Sequence, residues 1–243
     1  MSSRASTVNP VVLSYHAQRR AVGVLALSLP FLLAGGRVAL ALLGPGHALP
    51  QPLLEHSISD YYYTSMGNVL VGILCAIAVF LISSRGYSLA DEVTGYVAGV
   101  GSLGVALVPS LNPGDGPYTR MQVEASHLHS AFAGMMFLAL AYFCLVLFRK
   151  TSPQRKITRR KLHRNRIYLA CGLVILACDA GMAALAFPAL ALRFWNDRAL
   201  LICETLALIA FGIAWLTKGN GILRDMPRND ARANGEDYSS PAS

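Results

Sequence analysis

Three ionisable side chains fall inside long apolar stretches of this 243-residue chain: Arg37, Asp179 and Glu204. A charge at membrane depth is expensive, so each is a candidate functional group by position alone. At 1.5 Å of rise per residue, Arg37 lies roughly 9 Å, Asp179 roughly 12 Å and Glu204 roughly 6 Å from the same end of their stretches. Other polar residues converge on that level. His56, Ser57, Ser59 and Asp60 precede the second apolar stretch, Asn68 opens it, and His127 and His129 open the fourth. This collection predicts one polar pocket built from several helix ends. Arg37 would meet an anion such as phosphate. Asp60 and His127 are the candidate acid/base groups. His56, Asn68, His129, Asp179 and Glu204 are candidate ligand contacts. A second use of the ionisable residues is structural, with Arg37 stapled to Asp179 or Glu204.

The histidine spacing does not favour a metal. His127 and His129 are two apart, so on a helix they point about 200° from each other and cannot share one ion. The five cysteines all lie in apolar stretches and form no C-x-x-C pair, which excludes the usual disulfide-oxidase chemistry. No G-x-x-x-x-G-K-[ST] loop occurs. No metal and no cofactor are expected.

The elements that must position these residues are apolar helices. Hydrophobic residues make up 54% of the chain and charged residues only 14%, against roughly 25% charged in an ordinary soluble domain. Spanning a bilayer takes about 20 mostly apolar residues as a helix. Six stretches qualify: about 21–43, 66–84, 93–109, 126–148, 167–187 and 200–218. The expected fold class is therefore all-α: a polytopic membrane protein folded as a six-transmembrane-helix bundle, with Pro30 kinking the first helix. Residues 1–19 and 220–243 read as polar tails, the latter disordered.

The formal charge of +8 permits nucleic-acid binding on its own. Its distribution argues for topology instead. Segments on the side of the two tails hold 17 Lys and Arg, nine of them in 149–166, and the opposite loops hold three. Both termini are therefore expected in the cytoplasm, in a multi-pass inner-membrane arrangement. The basic loop 149–166 is expected to contact anionic lipid. No nucleic-acid partner is expected.

Small residues recur along one helical stripe: Gly95, Gly99, Ser102 and Ala106 in the third stretch, and Asn68, Gly72 and Ala76 at four-residue spacing in the second. Such stripes let helices approach closely. They serve either packing within the chain or a homodimer through Gly95 and Gly99. The loop at 44–65 begins as a Pro/Gly turn region, and its second half is free to dock back onto the bundle.

The segment HSISDYYYTSMGNVLVGILCAIAVFL resembles the run into the second span of the Frag/DRAM/Sfk superfamily, through Ile58-Ser59-Asp60. It is also similar to a bacterial family known as domain of unknown function number 998. Tyr61-Tyr62-Tyr63-Thr64 stands where eukaryotic members often continue with Gly-Thr and Pro. The resemblance implies six spans and a link to membrane-lipid remodelling. The expected function is binding or remodelling of a membrane lipid at the outer pocket. A small-solute or proton-coupled transporter, with Asp179 and Glu204 as proton sites, and a non-catalytic membrane scaffold are the alternatives.

Overall fold

The computed structural model describes residues 10–44, 47–84, 88–112, 114–150, 159–185 and 198–219, without the side chains of 10–15. All regular structure among the described residues is helical. The elements are α1 (Pro10–Leu43), a 3₁₀ turn (Ser59–Tyr63), α2 (Gly67–Ser83), α3 (Leu89–Leu107), α4 (Arg120–Tyr142), α5 (Arg159–Leu185) and α6 (Ala199–Lys218). Helix α4 runs on through one wide π turn, Phe143–Leu147, which ends when the Phe148 N–H donates to the Phe143 carbonyl at 2.8 Å.

Four stretches are long and apolar enough to cross a membrane: His16–Leu43, Arg120–Leu147, Arg159–Leu185 and Ala199–Lys218. Helix α2 is apolar but has 17 residues, about 26 Å of helix. Helix α3 has 19 residues and opens with Asp91 and Glu92 in its first turn. Large apolar side chains such as Phe31, Val79, Val100, Leu138 and Leu173 face outward, as expected of surfaces solvated by lipid rather than water.

The helix bounds correct the sequence reading at two places: residues 159–166, expected in a basic loop, are the first turns of α5, and α1 starts before residue 20. Residues 10–19 were expected in a polar tail, but α1 already begins at Pro10. Proline suits a first helical turn, where its missing N–H has no partner to lose. Pro30 lies inside α1, and the helix continues through it. Residues 186–187 of the fifth predicted span and the whole 220–243 tail lie outside the described residues.

Two helix starts are built by capping boxes. The Ser88 N–H and hydroxyl both donate to the Asp91 carboxylate, at 3.0 and 2.6 Å. The Thr119 N–H donates to Gln122 Oε1 at 2.8 Å while Thr119 Oγ1 accepts from the Gln122 N–H at 3.3 Å. Each pair satisfies donors that a helix start leaves open.

The helices close into a ring in chain order, α1–α2–α3–α4–α5–α6, with α6 packed back on α1. Glycine sets the close crossings. A methyl on Gly23 would come within 3.0 Å of the Gly212 carbonyl, and one on Gly212 within 2.9 Å of the Gly23 carbonyl, so α1 and α6 touch backbone to backbone. On α3, Gly95 and Gly99 lie against Leu81, Ala78 and Ile82 of α2, while Gly101 and Gly104 receive Met136 and Phe132 of α4. Of the two uses open to the Gly95/Gly99 stripe, the fold takes packing within the chain: α2 covers that face. Ser102 adds a polar tie, its hydroxyl donating to the Leu74 carbonyl at 2.9 Å.

The core has two parts. One lies toward the chain ends, where Phe211 and Trp215 of α6 meet Phe143, Phe148 and Tyr168. The other lies toward the loop between α1 and α2, and includes Leu29, Leu33, Leu70, Leu201 and Leu208. Two of its members, Ile58 and Tyr61, come from that loop, so the segment is a plug inserted between the helices. The loop does dock back on the bundle. Its end is called the cap end below, and the opposite one, where α1 starts and α6 stops, the tail end.

Candidate functional site

The cap owes its place to polar ties within a few residues of chain. The Arg198 guanidinium donates to the Leu54 carbonyl at 2.9 Å. The Leu201 N–H donates to the His56 carbonyl at 3.0 Å. The Ile58 N–H donates to Glu204 Oε2 at 2.5 Å in a buried setting. These three ties hold the loop to α6. A fourth holds it to α1: Arg37 pairs with Glu55 at 2.6 Å and donates to the Pro52 carbonyl at 2.7 Å.

Arg37 is therefore stapled neither to Asp179 nor to Glu204. Its partner is Glu55, a residue of the loop before α2. Arg37 sits where α1 nears its end, within reach of a loop folded back over it, and only the fold reveals that return path.

A cavity of about 480 Å³ opens at the cap end beside this pair. Arg37, Glu55, His56, Asp60 and Tyr63 supply its chemical groups, and Asn112 closes it from the α3–α4 connection. The Tyr63 hydroxyl donates to the Ser110 carbonyl and joins the cap to that connection. Asp60 is buried, 8% exposed. Burial pushes its carboxyl above the usual carboxylate range, against the opposing pull of its hydrogen bonding with Ser57. The Asp60 N–H donates to Ser57 Oγ at 3.0 Å, fixing the turn that aims the side chain.

The cavity gathers Arg37, His56 and Asp60 of the predicted site. The others stand elsewhere. His129 is buried and works as a strut: its Nδ1 lies 2.6 Å from the Val108 carbonyl and its Nε2 lies 2.9 Å from Ser59 Oγ. A carbonyl can only accept, so Nδ1 carries a proton, and in the neutral ring Nε2 accepts from Ser59. His127, two residues away, is exposed and turned from that face by the helical rotation. Asn68 is also exposed, on the outer surface of α2. Asp179 is half-buried and faces α4, where a methyl on Gly134 would sit 3.9 Å from its carboxylate. Glu204 lies beneath the cavity and seals the plug instead of lining it. A shared depth along the sequence did not imply a shared side of the ring. Glu55, Tyr63 and Asn112 are the additions that sequence reasoning missed. Among them Glu55 had a signal: an acid within the loop that must pass over Arg37.

Among the described residues, no group of three or more His, Cys, Asp and Glu side chains is placed to hold a metal ion. The cavity offers charged and hydrogen-bonding groups, with the buried Asp60 carboxyl beside the Arg37–Glu55 pair. Comparison of the chain with models of protein families, with curated proteins and with solved structures finds no match.

Proposed function

We propose that this chain is a six-span membrane protein of the inner membrane, with both termini cytoplasmic, that binds or remodels a membrane lipid through the cavity at its outer, cap end. The observation that carries the reading is the buried Asp60 carboxyl beside the Arg37–Glu55 pair, in a cavity at the level where α1 ends. A carboxyl held away from water is costly to ionise, and such groups concentrate where a ligand is handled.

The charges refine what the ligand offers. Glu55 already engages Arg37, so a bare phosphate would have to displace it. Asp60 then leaves the lining acidic, which suits an amine or a hydroxyl-rich head group facing Asp60 and Tyr63. If a reaction follows binding, Asp60 is the group raised toward the range where a general acid or base works. The basic segment 149–166, whose second half opens α5, supports the orientation and contact with anionic lipid on the cytoplasmic side.

Mass spectrometry of lipid that co-purifies with the wild-type protein tests this reading. A defined head group should be enriched over the bulk membrane, and Asp60→Asn and Glu55→Gln should lose that enrichment while retaining insertion. Unselective lipid, together with proton-dependent uptake into liposomes that needs Asp179, would replace this reading with the transporter.

A further inference from the structure

A groove of about 620 Å³ runs between α3 and α4 on the outer surface of the bundle, and it shares no residue with the cap-end cavity. Val93 and Val97 of α3 and Gly134, Met135 and Leu138 of α4 line it, and Tyr142 closes the end toward the tails. Val93 and Leu138 are exposed, so the groove opens sideways, among the apolar side chains that face lipid. From Gly134 to Tyr142 it follows α4 for eight residues, about 12 Å of helix. Thr94 also lines it, but its hydroxyl already donates to the Ala90 carbonyl at 2.6 Å. The lining itself carries no charge.

A carboxylate stands at the edge of this groove. Asp179 Oδ1 of α5 lies 3.9 Å from the point where a Gly134 Cβ would stand, and no other atom lies within 4 Å of that point. Gly134 therefore borders the groove and the carboxylate at once. Close packing does not explain this glycine. A methyl on Gly95, Gly101 or Gly172 would come closer than 3.0 Å to a neighbour, and one on Gly134 would not. One turn toward the cap end, Ser130 is exposed, and its hydroxyl donates to the Ser126 carbonyl at 3.0 Å. Small residues thus leave a gap along this edge of α4, through which the half-buried Asp179 is reached. Among the described residues nothing donates to Asp179 and no cation pairs with it. A carboxyl alone inside a span must hold a proton or meet a cation.

The two features complement each other. An apolar channel open to the bilayer ends at a carboxylate, and sites of this size pair mostly apolar walls with a few placed polar groups. We propose that the groove and Asp179 form a binding site for a lipophilic amine, a molecule with an ammonium group and an apolar body of about 12 Å, which enters from the bilayer. The ammonium meets Asp179 through the gap at Gly134, and the body lies along α4 toward Tyr142. A fatty alcohol has the same body without the charge, and a fatty acid carries the opposite charge, so the carboxylate decides between them. The site is separate from the cap-end cavity and does not depend on the reading given for it.

The test is photo-crosslinking of the full-length protein in lipid nanodiscs, with dodecylamine carrying a diazirine at the far end of its chain as the probe. Peptide mass spectrometry should place the label on α3 and α4, around Val97, Leu138 and Tyr142. Unlabelled dodecylamine should compete about tenfold better than dodecanol, the scale of one charge-assisted hydrogen bond. Asp179→Asn should lower labelling about tenfold for the same reason, and Asp179→Glu, which keeps the charge, should retain most of it. Leu138→Trp, which fills the groove from its exposed rim, should also lower labelling, and Val79→Trp, on the outer face of α2, should leave it unchanged. Label spread evenly over all the helices, equal competition by dodecanol, or Asp179→Asn labelled as well as wild type would overturn the proposal.

Discussion

Arg37→Gln tests the cap's attachment most directly. The Arg37 and Glu55 side chains are 12% and 11% exposed, and their charged atoms are 2.6 Å apart. Removing the guanidinium leaves a nearly buried carboxylate without its cation and the Pro52 carbonyl without its donor. Breaking a fully buried pair from one side costs about 3–5 kcal/mol. At this rim position water can partly reach Glu55, so about 2–3 kcal/mol is expected. Glu55→Gln should cost less, about 1 kcal/mol, because the amide oxygen still accepts and Arg37 keeps Pro52. The double variant should fall short of the sum by about 1–2 kcal/mol, the coupling between contacting residues. The assay is hydrogen exchange of the Ile58 and Leu201 amides, which the docked loop protects through Glu204 and His56. At 1.4 kcal/mol per tenfold, Arg37→Gln should speed their exchange by about 30- to 150-fold. A parallel cycle between Arg37 and Glu204 should show weaker coupling, since no contact joins them. Additive Arg37 and Glu55 effects, or equal coupling of Arg37 to Glu204, would refute the assigned pairing.

Glu204→Leu should strand the Ile58 N–H and loosen the plug by about 1–3 kcal/mol, seen as faster labelling of a cysteine placed at Ser57 by a membrane-impermeant maleimide. Glu204→Gln, which keeps an acceptor, should label near the wild-type rate. Gly104→Ala puts a methyl 2.1–2.4 Å from atoms of the Phe132 ring, so it should cost about 1–3 kcal/mol as a lower unfolding midpoint, and Phe132→Leu should restore part of it. Asp60 carries a pH dependence whose sign follows from its raised carboxyl. The docked loop binds more protons than the released one between the ordinary value of 3.8 and the raised value, so docking weakens as pH rises through that window. Protection of the Ile58 amide should fall with pH there in wild type, after correction for intrinsic exchange, and Asp60→Asn should flatten the slope. Protection that rises with pH in wild type alone would contradict the burial argument.

The helices were legible because their signal is local. Apolar runs and their ends placed α2 and α6 within a residue or two of the predicted stretches, and the small-residue spacing on α3 correctly marked close approach. The predicted pocket was legible only in part. Depth along a helix follows from counting residues, and it put Arg37 and Asp60 at one level. The azimuth of each helix in the ring does not follow from counting. That angle is why Asp179 faces Gly134 of α4, why His127 and Asn68 are exposed, and why Glu204 lies beneath the cavity.

Composition and periodicity by themselves determined an all-helical chain with membrane-length apolar helices, because burying apolar surface and satisfying each helix's own backbone are short-range requirements. Partnership was decided by tertiary structure. Glu55 meets Arg37, and Lys161 meets Lys218 at the Phe148 carbonyl, only because the packing of the helices returns distant segments to the same place. Electrostatic and hydrogen-bonding energies depend on distances of a few ångströms, and chain order leaves those distances open until the helices have packed.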